Sequence, residues 1–123
     1  MSVIKYSDGD IEKHIEELII NSKELSSTYD IGSQEYDNWA VRYHLSSVRG
    51  NQIRHLNFEG LDVLELGAGM GAMSRVIAEQ TNHFTAIEGT EQRMNCLKAR
   101  LRDLNNWDSV ICNYQDFKTG KKY

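Results

Sequence analysis

The run Asp62-Val63-Leu64-Glu65-Leu66-Gly67-Ala68-Gly69-Met70-Gly71 constrains this chain more than any other stretch. Apolar residues and an acid lead straight into glycines at alternate positions, and a helix-like stretch follows. Lacking Cβ atoms, Gly67, Gly69 and Gly71 let the backbone turn sharply and let a ligand lie against it. The N–H groups that open the next helix would point at that ligand. A strand ending this way reads as a cofactor-binding loop.

The surrounding pattern places that loop in an α/β frame. From residue 60 onward strands and helices alternate: a strand over 61–66, a helix over 71–80 burying Met73, Val76 and Ile77, and a strand over 84–87. A longer helix follows Thr90, which can cap it. Glu91 suits its positive end, and Met94, Leu97, Leu101 and Leu104 form its buried stripe. A third strand spans 109–112. This order predicts a Rossmann-like parallel sheet with right-handed crossovers and flanking helices on both faces, incomplete at three strands. Upstream, Ile11, Ile15, Leu18, Ile19 and Leu25 fall at helical spacing over 10–28, with Asp8 or Asp10 as cap. A polar loop over 28–38 and a second helix over 46–57, burying Val48, Ile53 and Leu56, complete the N-terminal part. Residues 1–58 thus form a helical segment and 59–123 the first half of the sheet domain.

In such sheets ligands sit beyond the carboxyl ends of the strands. Glu65, the glycine loop, Glu88 and Asp116 all fall there. Gly67-x-Gly69-x-x-Ala72 also satisfies the dinucleotide fingerprint, and Glu88 lies where a ribose-binding acid should. Glu65, two residues before the first glycine, argues against a pyrophosphate, which its charge would repel, and favours a cationic ligand.

Glu65-Leu66-Gly67-Ala68-Gly69-Met70-Gly71 resembles motif I of class I S-adenosylmethionine-dependent methyltransferases. Ala86-Ile87-Glu88-Gly89 resembles their second motif, and Tyr114-Gln115-Asp116-Phe117 their third-strand motif. The resemblance covers about residues 60–117. It implies S-adenosylmethionine as cofactor. Glu65 and Gly67, Ala68, Gly69, Met70 and Gly71 would face its methionine moiety. Glu88, beside Gly89, would take both ribose hydroxyls. Asp116 would accept from the adenine amino group, with Gln115 or Tyr114 beside the ring; Met70 and Thr90 could line the pocket. The segment 42–49 resembles one that precedes motif I in methyltransferases linked to bacterial glycosyltransferases, which would lay Tyr43 and His44 over the cofactor and bring Arg42 to its carboxylate. The implied reaction is methyl transfer to an oxygen or nitrogen of a small polar, carbohydrate-like acceptor. An NAD-dependent oxidoreductase fragment and a non-catalytic assembly module remain alternatives, and no catalytic base is assigned.

Other features read more plainly. A net charge of −4 argues against a nucleic-acid surface, and Lys98, Arg100 and Arg102 read as solvated helix surface. Cys96 and Cys112 fit buried thiols in a reducing compartment; no metal spacing links the histidines. Trp39 and Trp107 read as packing residues and His44 as a structural residue at a helix start. The N-terminus has neither a signal-peptide pattern nor a membrane span, so a cytoplasmic protein is expected. The chain ends where the resembled family runs into a fourth strand. Either a C-terminal half is missing or the third-strand edge, left bare, drives self-association.

Overall fold

The computed structural model describes residues 9–123. Its centre is β2 (His83–Glu88), a strand buried along its length after His83. β1 (Asp62–Leu66) and β3 (Trp107–Ile111) flank it in the order β1-β2-β3, and both pairings are parallel. A strand covered on both sides needs apolar or hydrogen-bonded side chains throughout, which Phe84, Thr85, Ala86 and Ile87 supply. Connecting the strands are α3 (Ser74–Ala78) and α4 (Glu91–Arg100).

The two connecting helices share one face of the sheet, not both as the strand–helix alternation predicts. Right-handed crossovers that step the sheet twice in the same direction leave both helices on the same side. Phe84 and Ala86 therefore pack with Ile77 and Ala78 of α3 and with Met94, Leu97 and Leu101 at α4. On the opposite face the register aligns Leu64, Thr85 and Asp108, then Leu66, Ile87 and Val110. The end of the chain crosses part of it: the Tyr123 hydroxyl donates to Thr85 Oγ1 at 3.3 Å, and Lys121 Nζ lies 3.7 Å from Asp62 Oδ2. Both outer strands are unpaired among the described residues, so β1 is as bare an edge as β3. Leu66 is 53% exposed on one and Ile111 46% on the other.

The N-terminal part differs from its periodicity. α1 (Asp10–Asn21) stops at Ser22, whose extended backbone turns the chain away, although Leu25 still reaches the core. Gly9 precedes the helix and gives no side-chain cap; Asp10 is its first residue, and Asp8 lies outside the described residues. The loop after it holds a single 3-10 turn at Ser33–Glu35. A helix goes unforeseen at α2 (Trp39–Leu45), capped by Asn38, whose Oδ1 accepts from the N–H groups of Ala40 and Val41. The expected helix over 46–57 is instead a 3-10 stretch, Ser47–Gln52, that leaves Val48 and Leu56 exposed. The apolar spacing there was too sparse to bury a helical stripe: of its three residues only Ile53 touches the core.

One apolar cluster joins the two parts. Ile15 and Ile19 of α1 and Val41 and Leu45 of α2 pack with Met70 of the glycine loop and Cys96 of α4. Burial pushes the Cys96 thiol up to about 12, so it is inert; Cys112 is only half-buried, contrary to the expectation for both thiols. Arg75 on α3 donates to both oxygens of Asp103, at 2.5 and 3.0 Å, and to the carbonyl of Arg100, tying α3 to the end of α4.

The basic residues at the end of α4 are not a solvated cluster. Lys98 is exposed, but Arg100 is 4% exposed and Arg102 donates to the carbonyls of Ile19, Ile20 and Ser22 at the end of α1. Cations suit helix C-termini because the last carbonyls there lack helical partners.

Because Ile15 is fully buried between α1 and α4, Ile15→Ala is expected to cost about 2–5 kcal/mol. Urea unfolding of the two proteins measures it. An unchanged midpoint would mean that α1 stands outside the cooperative unit.

Candidate cofactor site

The site forms where β1 and β2 end. Gly67 and Gly69 have φ of 71° and 60°, and a Cβ built on either meets nothing within 4 Å. Backbone conformation, not crowding, therefore demands glycine at both. Gly71, with φ 87°, turns inward, and its α-carbon faces Leu97 and Arg100 of α4. The helix after the loop starts only at Ser74, three residues past the last of these glycines, and is five residues long. So short a helix, set three residues back, is a weaker basis for holding a pyrophosphate than a long helix opening on the loop.

The loop instead closes onto an acid of the chain itself. Glu88, the last residue of β2, is 7% exposed. Its Oε1 accepts from Gly69 N–H at 3.1 Å, and its Oε2 accepts from Thr90 N–H at 2.8 Å and the Thr90 hydroxyl at 3.1 Å. A carboxylate has about four acceptor positions, so three donors leave room for about one ligand hydroxyl. Taking two would require the Thr90 hydroxyl to rotate off Oε2. Thr90 thus spends its side chain on Glu88 and not on capping α4.

Two small chambers meet at Gly67, Glu88 and Arg93. The first, about 150 Å³, runs past Ile87, Gly89 and Thr90 to Cys112, Asn113 and Tyr114 beyond β3. Gly89 has a packing reason to be glycine: a Cβ there would come within 3.3 Å of Asn113 Oδ1. Gln115 and Asp116 stand beside this chamber, exposed on the 3-10 turn Tyr114–Asp116, outside its lining. The second chamber, about 160 Å³, lies between Gly67–Met70 and the α2 side, where Tyr43, His44 and Arg49 close it. Sequence reasoning passed over Asn113, Arg93 and Arg49. Only their fold-dependent neighbours mark them.

The α2 wall is ordered by stacking. Tyr43 lies between the Trp39 ring, 4.9 Å away and nearly parallel, and the Arg49 guanidinium, 4.2 Å from its centroid. Trp39 is 62% exposed, so it is not the packing residue expected, whereas the Trp107 indole N–H donates to the carbonyls of Leu101 and Leu104. His44 is buried in the last turn of α2, edge-on to Tyr43. Arg42 is exposed and outside the lining, whereas Arg49 is part of it. Arg49 makes no ion pair among the described residues. Glu65, half-buried on the helical face of β1, accepts a hydrogen bond from the Ser74 hydroxyl and lies outside both linings. Burial pushes its carboxyl up, while the Ser74 hydrogen bond and the Arg49 charge pull it part of the way back.

No family model and no curated protein matches the sequence, but solved structures match its coordinates. Pyrococcus horikoshii supplies one, a protein assigned as an RNA methyltransferase: TM-score 0.54, 19% identity, 59% of this chain against 41% of that one. Another is phosphoethanolamine N-methyltransferase 1 of Haemonchus contortus, in complex with phosphoethanolamine and S-adenosylhomocysteine: TM-score 0.53, 15% identity, 89% of this chain against 22%. A third is DhpI in complex with SAH, at TM-score 0.53, 23% identity and 93% of this chain against 50%. The chain spans between about a fifth and a half of these proteins' lengths. At such identities the likeness is one of fold: the described residues form part of the Rossmann-like α/β fold seen in these methyltransferases.

Proposed function

We propose that this chain is the cofactor-binding portion of an S-adenosylmethionine-dependent methyltransferase. The observation that carries the reading is Glu88: its carboxylate already occupies the glycine-loop amide that a pyrophosphate would need, and it turns an acceptor toward the junction of two chambers. A nucleoside with a cationic tail fits this better than a dinucleotide. The adenosine would occupy the chamber of Cys112, Asn113 and Tyr114, with Gly89 allowing close approach and Gln115 and Asp116 at its rim. The ribose would meet Glu88. The methionine end would lie along Gly67, Ala68, Gly69 and Met70 beneath Tyr43, its carboxylate toward Arg49 and its ammonium toward Glu65. That tail carries both charges, and the Arg49 guanidinium and the half-buried Glu65 carboxylate are complementary to them.

When bound, the cofactor supplies a sulfonium-activated methyl group. The chain's own contribution is to hold it in line with an attacking oxygen or nitrogen, where positioning supplies much of the rate. In this reading the N-terminal segment 1–58, described from residue 9 onward, would be the helical cover of the site, and the acceptor would be a small polar molecule, carbohydrate in the first instance. Supporting that cover is the α2 wall; supporting the acceptor class is the sequence segment 42–49 alone.

Calorimetric titration with S-adenosylhomocysteine, with NADH as control, tests the reading. Saturable binding of the former only is expected, weakened by about 1.5–3 kcal/mol in Glu88→Ala. Binding of NADH alone would make the chain an oxidoreductase fragment, and binding of neither would favour an assembly module. Burial raises Glu65, so the ionised form that an ammonium prefers is lost at higher pH than for an ordinary carboxylate. Affinity should therefore fall as pH is lowered through that raised value, and Glu65→Gln should flatten the slope. Two unpaired edges with apolar side chains further predict self-association by light scattering at high concentration; a strict monomer would refute that.

A further inference from the structure

We propose that Arg100 is a positioning residue that sets the gap between the α2 wall and the glycine loop, and thereby admits the amino-acid end of the ligand. The inference rests on the reading of the site given above.

Arg100 is buried at the end of α4, and its guanidinium serves backbone carbonyls. Nη1 donates to His44 O at 2.7 Å and to Met70 O at 3.4 Å, and Nη2 donates to Leu45 O at 3.4 Å. His44 and Leu45 close α2, where terminal carbonyls lack helical partners. Met70 belongs to the loop on the far side of the same chamber, and both His44 and Met70 line it. One planar group with fixed donor directions therefore spans two walls of one cavity. The Arg100 side chain also backs the loop directly, its Cδ 3.5 Å from where a Gly71 Cβ would sit.

Core packing alone does not account for this residue. Burying a guanidinium costs desolvation, and an apolar side chain of similar volume could fill the space without it. What an apolar residue could not do is hold carbonyls of two separate segments at hydrogen-bond distance. Burial lowers the Arg100 pKa to about 10, so the group stays charged at neutral pH. None of the carbonyls that Arg100 holds belongs to a residue lining the chamber beyond β3, which would take the adenosine.

That asymmetry makes the test. Arg100→Met and Arg100→Lys are titrated with S-adenosylhomocysteine and, separately, with adenosine, after circular dichroism confirms folding. Both variants are expected to weaken S-adenosylhomocysteine at least tenfold and to leave adenosine within about twofold, because only the longer ligand enters the chamber between His44 and Met70. Equal losses for the two ligands, or no loss for either, would overturn the proposal. A wild-type chain that binds neither ligand sinks the reading of the site and this inference with it; one that binds both isolates the inference. Should neither variant fold, hydrogen exchange on the unmodified chain decides. S-adenosylhomocysteine should protect the amides of Ser46 and Gly71 together, and adenosine should protect neither. Protection of one without the other would count against the coupling.

Discussion

Two arginines at the end of α4 hold the N-terminal helices in place. Arg102 donates to the last carbonyls of α1 and Arg100 to those of α2, so each helix presents its negative end to a cation carried by the sheet domain. The residue between them matters as much: Leu101 is fully buried under the sheet, which fixes the helix end from which both side chains depart. The apolar cluster of Ile15, Ile19, Val41 and Leu45 buries the inner sides of both helices, but its contribution is non-directional. The carbonyl contacts give that burial its register, and with it the position of Tyr43 and His44 over the loop.

The one-sided helix placement follows from a different constraint, the hand of the crossovers. Two right-handed steps in the same direction put α3 and α4 beneath Phe84 and Ala86, and leave Leu64, Leu66 and Val110 to the other side. The same geometry gathers the carboxyl ends of all three strands at one rim. Glu88, the glycine loop and Cys112–Tyr114 meet there because β1, β2 and β3 run parallel, not because they are close in sequence.

Much of that rim was legible beforehand. Strands at 61–66 and 84–87 stood out because short apolar runs bounded by glycine and acid have few other uses, and the stripe of Met94, Leu97 and Leu101 is buried as its spacing requires. The N-terminal part was less legible. Trp39–Leu45 hides as a helix because its apolar side and its stacked aromatic side together erase the amphipathic contrast, and only Asn38 signals its start. Val48 and Leu56 suggested a second helix, but they are exposed and only Ile53 of that set reaches the core.

By itself the sequence determined the strand–loop–helix grammar, the need for glycine at 67 and 69, and the acid that ends β2. Those features are local: they depend on φ, on side-chain volume and on spacing along one element. Only the tertiary structure decided what each charge does. Arg100, Lys98 and Arg102 look alike in sequence, yet one is buried on carbonyls, one is solvated and one caps α1. Glu88 and Glu65 likewise differ only once Gly69, Thr90 and Ser74 are brought to them. The energy of a charge is set by the burial and the partners around it, and those come from segments far apart in the chain.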